Sequence, residues 1–245
     1  LNLSTLLEVS SPSEVLDKRG TVLNDSNFSL DLAVWKLTNK SLNKRKTKEK
    51  QKTKLAISQW NAWSVQNNTK IQFIQSLPGD IVVIQEIWQQ HENIEKIGET
   101  IEICERKGRG GGSATIKLHE DRIQVLSRNR IGLDSHAVKL FMREAYFWVV
   151  NVYLNEGSIE QIQELFGELK ILVPENEWDV ICCVGDFNID LCKETHELKL
   201  LKKLCKLLNL TIVQPTEETT RHGSVLDYII VGKNVIVEEK SVVSG

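Results

Sequence analysis

Several signatures are absent from this sequence, and each absence removes a class of protein. No pair of cysteines has the spacing of a zinc site, and no apolar run approaches the ~18 residues needed to span a bilayer. Residues 1–10 lack the basic start and apolar stretch of a signal peptide. No internal repeat is visible. The five cysteines (Cys104, Cys182, Cys183, Cys192 and Cys205) are odd in number, and two are adjacent within an apolar run. They read as reduced, mostly buried thiols, as expected of an intracellular protein. The chain starts at Leu1 and stops at Ser244-Gly245, the ends expected of a piece of a longer protein.

What is present suits one large α/β domain, or one domain and a tail. Apolar residues make up 41% of the chain, enough for a core, and the formal net charge is −2. The charge is uneven: from Lys36 to Lys54, nine Lys or Arg face one acid, Glu49. A basic segment joined to an acidic body points to a polyanionic partner or a metal. Residues 1–53 read as a basic, disordered tail or linker, because "NKSLNKRKTKEKQKTK" has too little apolar surface to offset its ordering entropy. A solvated tether, a nucleic-acid contact and a nuclear-import signal are all open for it. The folded domain is expected over residues 54–245.

After Thr53 the pattern turns regular. "LAISQWN", "DIVVIQEIW", "FWVVNVYL", "WDVICCV", "SVLDYIIV" and "VIVEE" read as strands, and "GSATIKL" and "RIQVLS" as a strand pair. "NTKIQFIQSL" spaces Ile71, Phe73, Ile74 and Leu77 as a helix stopped by Pro78-Gly79. "SIEQIQELFGELKIL" opens with a capping box, Ser158 and Gln161, and "ETHELKLLKKLCKLLNL" is an amphipathic helix. Interleaved strands and helices predict sheets covered by helices, the α/β or α+β class.

Several strands share an oddity: each ends in, or carries, polar groups that a core does not need. These are Asn61, Glu86, Asn151 with Tyr153, Asp186 with Asn188, and Asp227. Strand ends are where α/β sheets collect functional groups. Singly, each has an ordinary explanation: a solvated end, a turn cap, a core aromatic with a wet hydroxyl, an Asx-turn. Together, three carboxylates in one place would repel one another unless a cation joined them. Oxygen ligands with few imidazoles nearby suit Mg²⁺ or Mn²⁺ better than Zn²⁺.

The order of "WN", "IQE", "NVY", "GDFN" and "LDYIIV" resembles the endonuclease/exonuclease/phosphatase superfamily of DNase I-like phosphodiesterases. "RGGGSATI" after the Glu strand and "PTEETTRHGSVLDYI" before the late Asp are similar to the apurinic-like endonuclease domains of LINE-type (non-LTR) retrotransposons. The resemblance runs from about Thr53 to Gly245 and implies a four-layer α/β sandwich, two face-to-face sheets flanked by helices. It makes Glu86 the main ligand of a Mg²⁺ ion, with Asn61 assisting. Tyr153 would contact the scissile phosphate, Asp186 would orient or deprotonate the attacking water, and Asn188 would hold phosphate or water. Asp227 would orient a catalytic histidine. On the DNA-binding side fall Thr220 (or Thr219), Arg221, Arg109 and Asn151, the last by bracing a loop.

The implied reaction is a Mg²⁺-dependent nick in one DNA strand, leaving a 3′-hydroxyl for a reverse transcriptase in the same polyprotein, with the protein in the nucleus when it acts. No membrane partner is expected. The resembling proteins carry a Ser-Asp-His motif after the late Asp, and none follows Asp227 here, so weak or absent activity is expected of this polypeptide. His222 precedes Asp227 and does not replace it. The Gly-rich "GRGGGS" reads either as a close approach to the duplex or as a hairpin turn. Two alternatives stay open: another phosphoesterase of the same fold, such as one acting at abasic sites, and a catalytically dead nucleic-acid-binding domain.

Overall fold

The computed structural model describes residues 15–16, 22–23, 32–39, 54–88, 91–106, 110–118, 123–142, 145–215, 218–220 and 223–243. Two short strands, Val15–Leu16 (β1) and Val22–Leu23 (β2), pair antiparallel in a unit of their own. The second unit spans residues 30–244. Its strands are Leu32–Asn39 (β3), Lys54–Asn61 (β4), Ile81–Gln85 (β5), Glu99–Cys104 (β6), Ser113–Lys117 (β7), Gln124–Ile131 (β8), Ser135–Met142 (β9), Ala145–Tyr153 (β10), Ile181–Asp186 (β11), Leu210–Val213 (β12), Asp227–Gly232 (β13) and Val235–Val243 (β14). Its helices are Asn68–Ser76 (α1), His91–Glu95 (α2), Ile159–Leu172 (α3) and His196–Leu207 (α4).

Two mixed six-stranded sheets result, ordered β14-β3-β4-β5-β7-β6 and β12-β13-β11-β10-β9-β8. Strand alternation decides what lies between them. Ala33, Trp35 and Leu37 of β3, Leu55 and Ile57 of β4, and Ile81 and Val83 of β5 meet Phe147 and Val149 of β10, Cys182 and Val184 of β11, and Ile229 and Val231 of β13. The odd-numbered positions of β10 thus line the inter-sheet core, and its even-numbered Trp148, Val150 and Val152 face Leu165, Phe166 and Leu169 of α3 together with Leu198 and Leu201 of α4. On the other side, Val82 and Ile84 of β5 pack with Ile71 and Ile74 of α1 and with Ile94 of α2. The layers are helix, sheet, sheet, helix, the expected four-layer sandwich.

Local signals set the helices. Asn67 caps α1 by accepting from the backbone N–H of Lys70, and Ser158 caps α3 by accepting from that of Gln161. Gly185 has φ +146 and sits so close to β10 that a Cβ would run into the carbonyl of Val152. Only glycine lets β11 lie beside β10 with Asp186 opposite Tyr153.

Two expectations are corrected here. Residues 1–53 were expected to be a disordered tail, but Leu32–Asn39 is a strand bonded to β14 on one side and β4 on the other, with Trp35 fully buried. Lysine-rich flanks mask "LAVW", whose apolar residues match the core face. The predicted pairing of "GSATIKL" with "RIQVLS" is also wrong. β7 bonds to β5 and β6, whereas β8 is an edge of the other sheet and bonds to β9. Neighbours in sequence are separated because β9 supplies β8 with a nearer antiparallel partner through a tight turn at Gly132.

Candidate active site

The inter-sheet face changes character at one end. Along β4 it runs Leu55, Ile57, Gln59, Asn61. Along β10 it runs Phe147, Val149, Asn151, Tyr153, and along β11, Cys182, Val184, Asp186. The same two-residue period that builds the apolar core therefore delivers its polar end to one place. A buried relay forms the floor. Gln59 donates to Asp227 at 2.6 Å and to Gln85 at 3.1 Å, Gln85 donates to Asn151 at 2.7 Å, and Asn151 donates to the carbonyls of Ile84 (3.3 Å) and Ala114 (2.9 Å). Beside it, wholly buried His136 shares hydrogen bonds with Ser113 (3.1 Å) and Thr115 (2.7 Å). All but the Gln59–Gln85 bond, which lies within one sheet, cross from one sheet to the other and hold the two in register.

Above this floor lie the reactive groups. The Asn61 amide donates to Glu86 at 3.0 Å and to Asp186 at 2.8 Å, bridging two carboxylates from different sheets. Trp88 Nε1 donates to the other oxygen of Glu86 at 3.3 Å. The Tyr153 hydroxyl bonds to Glu86 as well, and burial, then the charges of Glu86 and Asp186, push its phenol above the ordinary range. Tyr153 thus stays protonated and remains a hydrogen-bond donor at any physiological pH. Asp186 accepts from the Asn188 backbone at 2.9 Å, and the Asn188 amide donates to the carbonyl of Leu154 at 2.8 Å, tying together the ends of β10 and β11.

Strict alternation would turn Glu86 away from Gln85's side of the sheet. Its left-handed backbone, φ 56, turns it back toward Asn61. Of the six non-glycine residues with positive φ among the described residues, five (Trp63, Ser64, Glu86, Trp88 and Asn188) surround this site. Such conformations cost about 1–3 kcal/mol each and persist where the surroundings enforce them. Part of the enforcement comes from the glycine run: Ile87 and Trp88 donate to the carbonyls of Gly112 and Gly111, and Gly112 N–H donates to Asp134 at 2.8 Å. Gly110, Gly111 and Gly112 lie in the connection between β6 and β7, as the hairpin-turn reading of "GRGGGS" has it, and Gly111 and Gly112 brace the Glu86 loop; Gly108 and Arg109 lie outside the described residues.

A divalent cation fits this donor set. The Asn61 amide sets the positive end of its dipole between two carboxylates, where a cation's charge is wanted, and a half-turn of the amide would offer Oδ1 in its place. Among the described residues no group of three or more His, Cys, Asp or Glu converges to hold a metal. A groove of about 180 Å³ opens beside Tyr153, bordered by Arg106, Asp134, Asn155 and Glu164. It includes neither Glu86 nor Asp186; Glu86 is half-buried and Asp186 buried.

The structure brings Asn61, Glu86, Tyr153, Asp186 and Asn188 together and sets Asp227 beneath them. Asn151 requires correction as a DNA-binding residue: it has no exposed surface and belongs to the floor. Thr219 accepts from the backbones of Leu226 (3.0 Å) and Asp227 (3.2 Å), and Thr220 accepts from Ser224 (3.1 Å), so both shape the loop before β13. Arg109, Arg221 and His222 lie outside the described residues. Sequence reasoning missed Gln59, Gln85 and His136. Their signal was present: each continues the inward-facing parity of an apolar strand.

Burial lowers the imidazole of His136 from 6.5 to about 3, so it is neutral in the folded chain. The unfolded chain binds that proton more readily between those values, so stability rises with pH there and is lost as pH falls below about 6.5. We expect urea unfolding at pH 5 to report about 1–2 kcal/mol less stability than at pH 7 from this residue alone. His136→Asn, less stable at pH 7, should show a flatter profile. Parallel profiles would assign the titration elsewhere.

No protein-family model matches the chain, and no curated protein matches it. Among solved structures, the fold is similar to the endonuclease domain of TRAS1, a telomere-specific non-LTR retrotransposon, with TM-score 0.56 and 15% identity over 72% of this chain and 84% of that one. Less similar are a functionally unknown protein of Enterococcus faecalis V583 (TM-score 0.48, 16% identity, 72% of this chain and 86% of that one) and D. rerio TDP2 complexed with a single-strand DNA product (TM-score 0.48, 14% identity, 72% and 82%). The fold is the DNase I-like four-layer sandwich expected from the motifs. Among the described residues no helix is long and apolar enough to cross a membrane.

Proposed function

We propose that this chain is a DNA endonuclease domain of the retrotransposon type, hydrolysing one strand of a duplex. One observation carries the reading: Asn61, Tyr153 and Asp186, from the ends of three strands in two sheets, and Glu86, from the loop after β5, converge through direct hydrogen bonds. Phosphodiester hydrolysis needs an aimed water, stabilisation of the charge that grows on the non-bridging oxygens, and a cation or proton on the 3′ oxygen that leaves as its bond to phosphorus breaks; a cation at Glu86 would supply that charge, and water the proton of the final hydroxyl. Asp186 accepts the proton of the attacking water, its carboxylate held in line by the Asn188 backbone. Tyr153 donates its hydroxyl hydrogen to a non-bridging phosphate oxygen as negative charge builds there. Glu86, with Asn61 turned to offer Oδ1, would hold Mg²⁺ or Mn²⁺, which supplies positive charge to the phosphate.

Asp227 and Gln59 act from below, fixing the floor on which Asn61 stands. The product of such a nick, a free 3′-hydroxyl, suits extension by a reverse transcriptase in a longer polyprotein acting in the nucleus. The similarity to the TRAS1 endonuclease fold supports that choice over other phosphoesterases. Because no Ser-Asp-His motif follows Asp227, nicking should be slow, and the test is conversion of supercoiled plasmid to open circle in Mg²⁺ with the chain in large excess over plasmid. Activity should vanish with EDTA and return with added Mg²⁺, and Tyr153→Phe should slow nicking about 10²-fold, the usual effect of losing one such donor. Nicking that persists in EDTA, or at full rate in the Phe variant, would overturn the reading.

A further inference from the structure

Trp63 stands out among the exposed apolar side chains. It is 71% exposed and two residues from Asn61, and its own backbone is left-handed at φ 43. Single exposed hydrophobes are ordinary, and Leu207 and Ile171 at helix ends need no explanation. Trp63 differs because the chain around it is tied down in every direction. Ala62 N–H donates to the carbonyl of Gln85 (3.0 Å), Ser64 N–H to that of Glu86 (2.6 Å), and Asn93 Nδ2 to that of Val65 (2.8 Å). Trp63 N–H points to Asn61 Oδ1 at 3.4 Å. From α1, the Lys70 ammonium reaches under the loop and donates to three consecutive carbonyls: Ala62 (2.6 Å), Trp63 (3.3 Å) and Ser64 (2.8 Å).

The backbone is therefore held in a costly shape, and its one large side chain is left in water two residues from Asn61, whose amide bonds both carboxylates. A tryptophan free to fold back would bury its ring and gain the burial energy of an aromatic side chain. Here the loop presents the ring instead. An exposed indole on a fixed backbone is a stacking platform, and every nucleobase has a π-face to meet it. A fully paired base inside a duplex has both faces covered by its neighbours, so the platform engages only a base that is unstacked.

We propose that Trp63 is a specificity-determining residue that stacks on an unpaired nucleobase next to the cleaved phosphate, so that the chain prefers DNA distorted or unpaired at the nick. The inference rests on the nuclease reading of the site. It assigns Trp63 no part in the bond-breaking chemistry, and it makes Lys70 a positioning residue that keeps the indole on station.

The test uses the full chain and a short duplex carrying 2-aminopurine, a base whose fluorescence falls on stacking, either in a single-base bulge or fully paired, with Ca²⁺ in place of Mg²⁺ to hold off hydrolysis. The wild-type chain should quench the bulged probe and bind it more tightly than the paired one. Trp63→Ala should lose the quenching and weaken binding of the bulged probe about tenfold, with little change for the paired probe. Trp63→Phe, which keeps a ring, should retain most of both. Equal quenching and affinity in Trp63→Ala and wild type would overturn the proposal, as would failure of the wild type to bind the bulged probe. The nuclease reading fails separately: a wild-type chain that binds and quenches in a Trp63-dependent way but never nicks plasmid would keep the stacking and discard the hydrolysis.

Discussion

Asp186→Asn should reduce plasmid nicking by about 10²–10⁴-fold while leaving the fold intact. The substitution is close to isosteric, and the strand that carries it is set by the register Tyr153 to Asp186 to Asp227 and by the close approach at Gly185. An amide at this position keeps one acceptor oxygen, for the Asn188 N–H now 2.9 Å from Oδ1, while its NH2 replaces Oδ2 and requires the Asn61 amide, now 2.8 Å away, to turn and offer its own oxygen. It cannot take a proton from water. The range is the usual loss on removing a positioned general base. Single-turnover nicking in Mg²⁺, with circular dichroism to confirm the fold, reads the effect. A rate within a few-fold of wild type would remove Asp186 from the proton transfer.

A chain beginning at Lys54 should fail to fold, whereas one beginning at about Leu30 should fold cooperatively. The short version loses β3, which lies between β14 and β4 and bonds to both along most of its length. Its loss strands β14, bares the edge of β4 and opens the inter-sheet core where Ala33, Trp35 and Leu37 sit with 0–1% exposure. Truncating one buried Trp to Ala costs about 3–5 kcal/mol. Losing three core side chains and two hydrogen-bond ladders exceeds the 5–15 kcal/mol that holds a typical domain together. Differential scanning calorimetry should show one transition for the longer chain and none for the shorter. A cooperative transition from the Lys54 version would return residues 32–39 to the tail.

That strand shows how composition hides structure. Residues 36–54 are so rich in lysine that the segment reads as unable to bury anything, yet "LAVW" just before them alternates correctly for a core strand. Window averages blur a charged segment into the strand it follows. The residues at the mouth were easier to find. Asn61, Glu86, Tyr153, Asp186 and Asn188 interrupt or end apolar runs, and a polar group there invites a reason. The floor residues Gln59, Gln85 and His136 were harder. A glutamine one step inside a strand end looks like fraying until its partner across the sheets is known.

What the sequence alone determined was the list of strands around the site and the identity of most reactive groups. Period-two alternation and the placing of polar residues at strand ends are local properties of the chain. What only the tertiary structure decided was the sharing of work among them. Asn151, expected to brace a loop, proved to brace the buried floor between the sheets, the glycine run supports Glu86, and Trp63 is an outward-facing ring, because these placements depend on contacts between residues far apart in the chain. Hydrogen bonds such as Gln59 to Asp227, 168 positions apart, leave no mark on either residue's neighbours in sequence. They exist only once two sheets, each built from local rules, are pressed together.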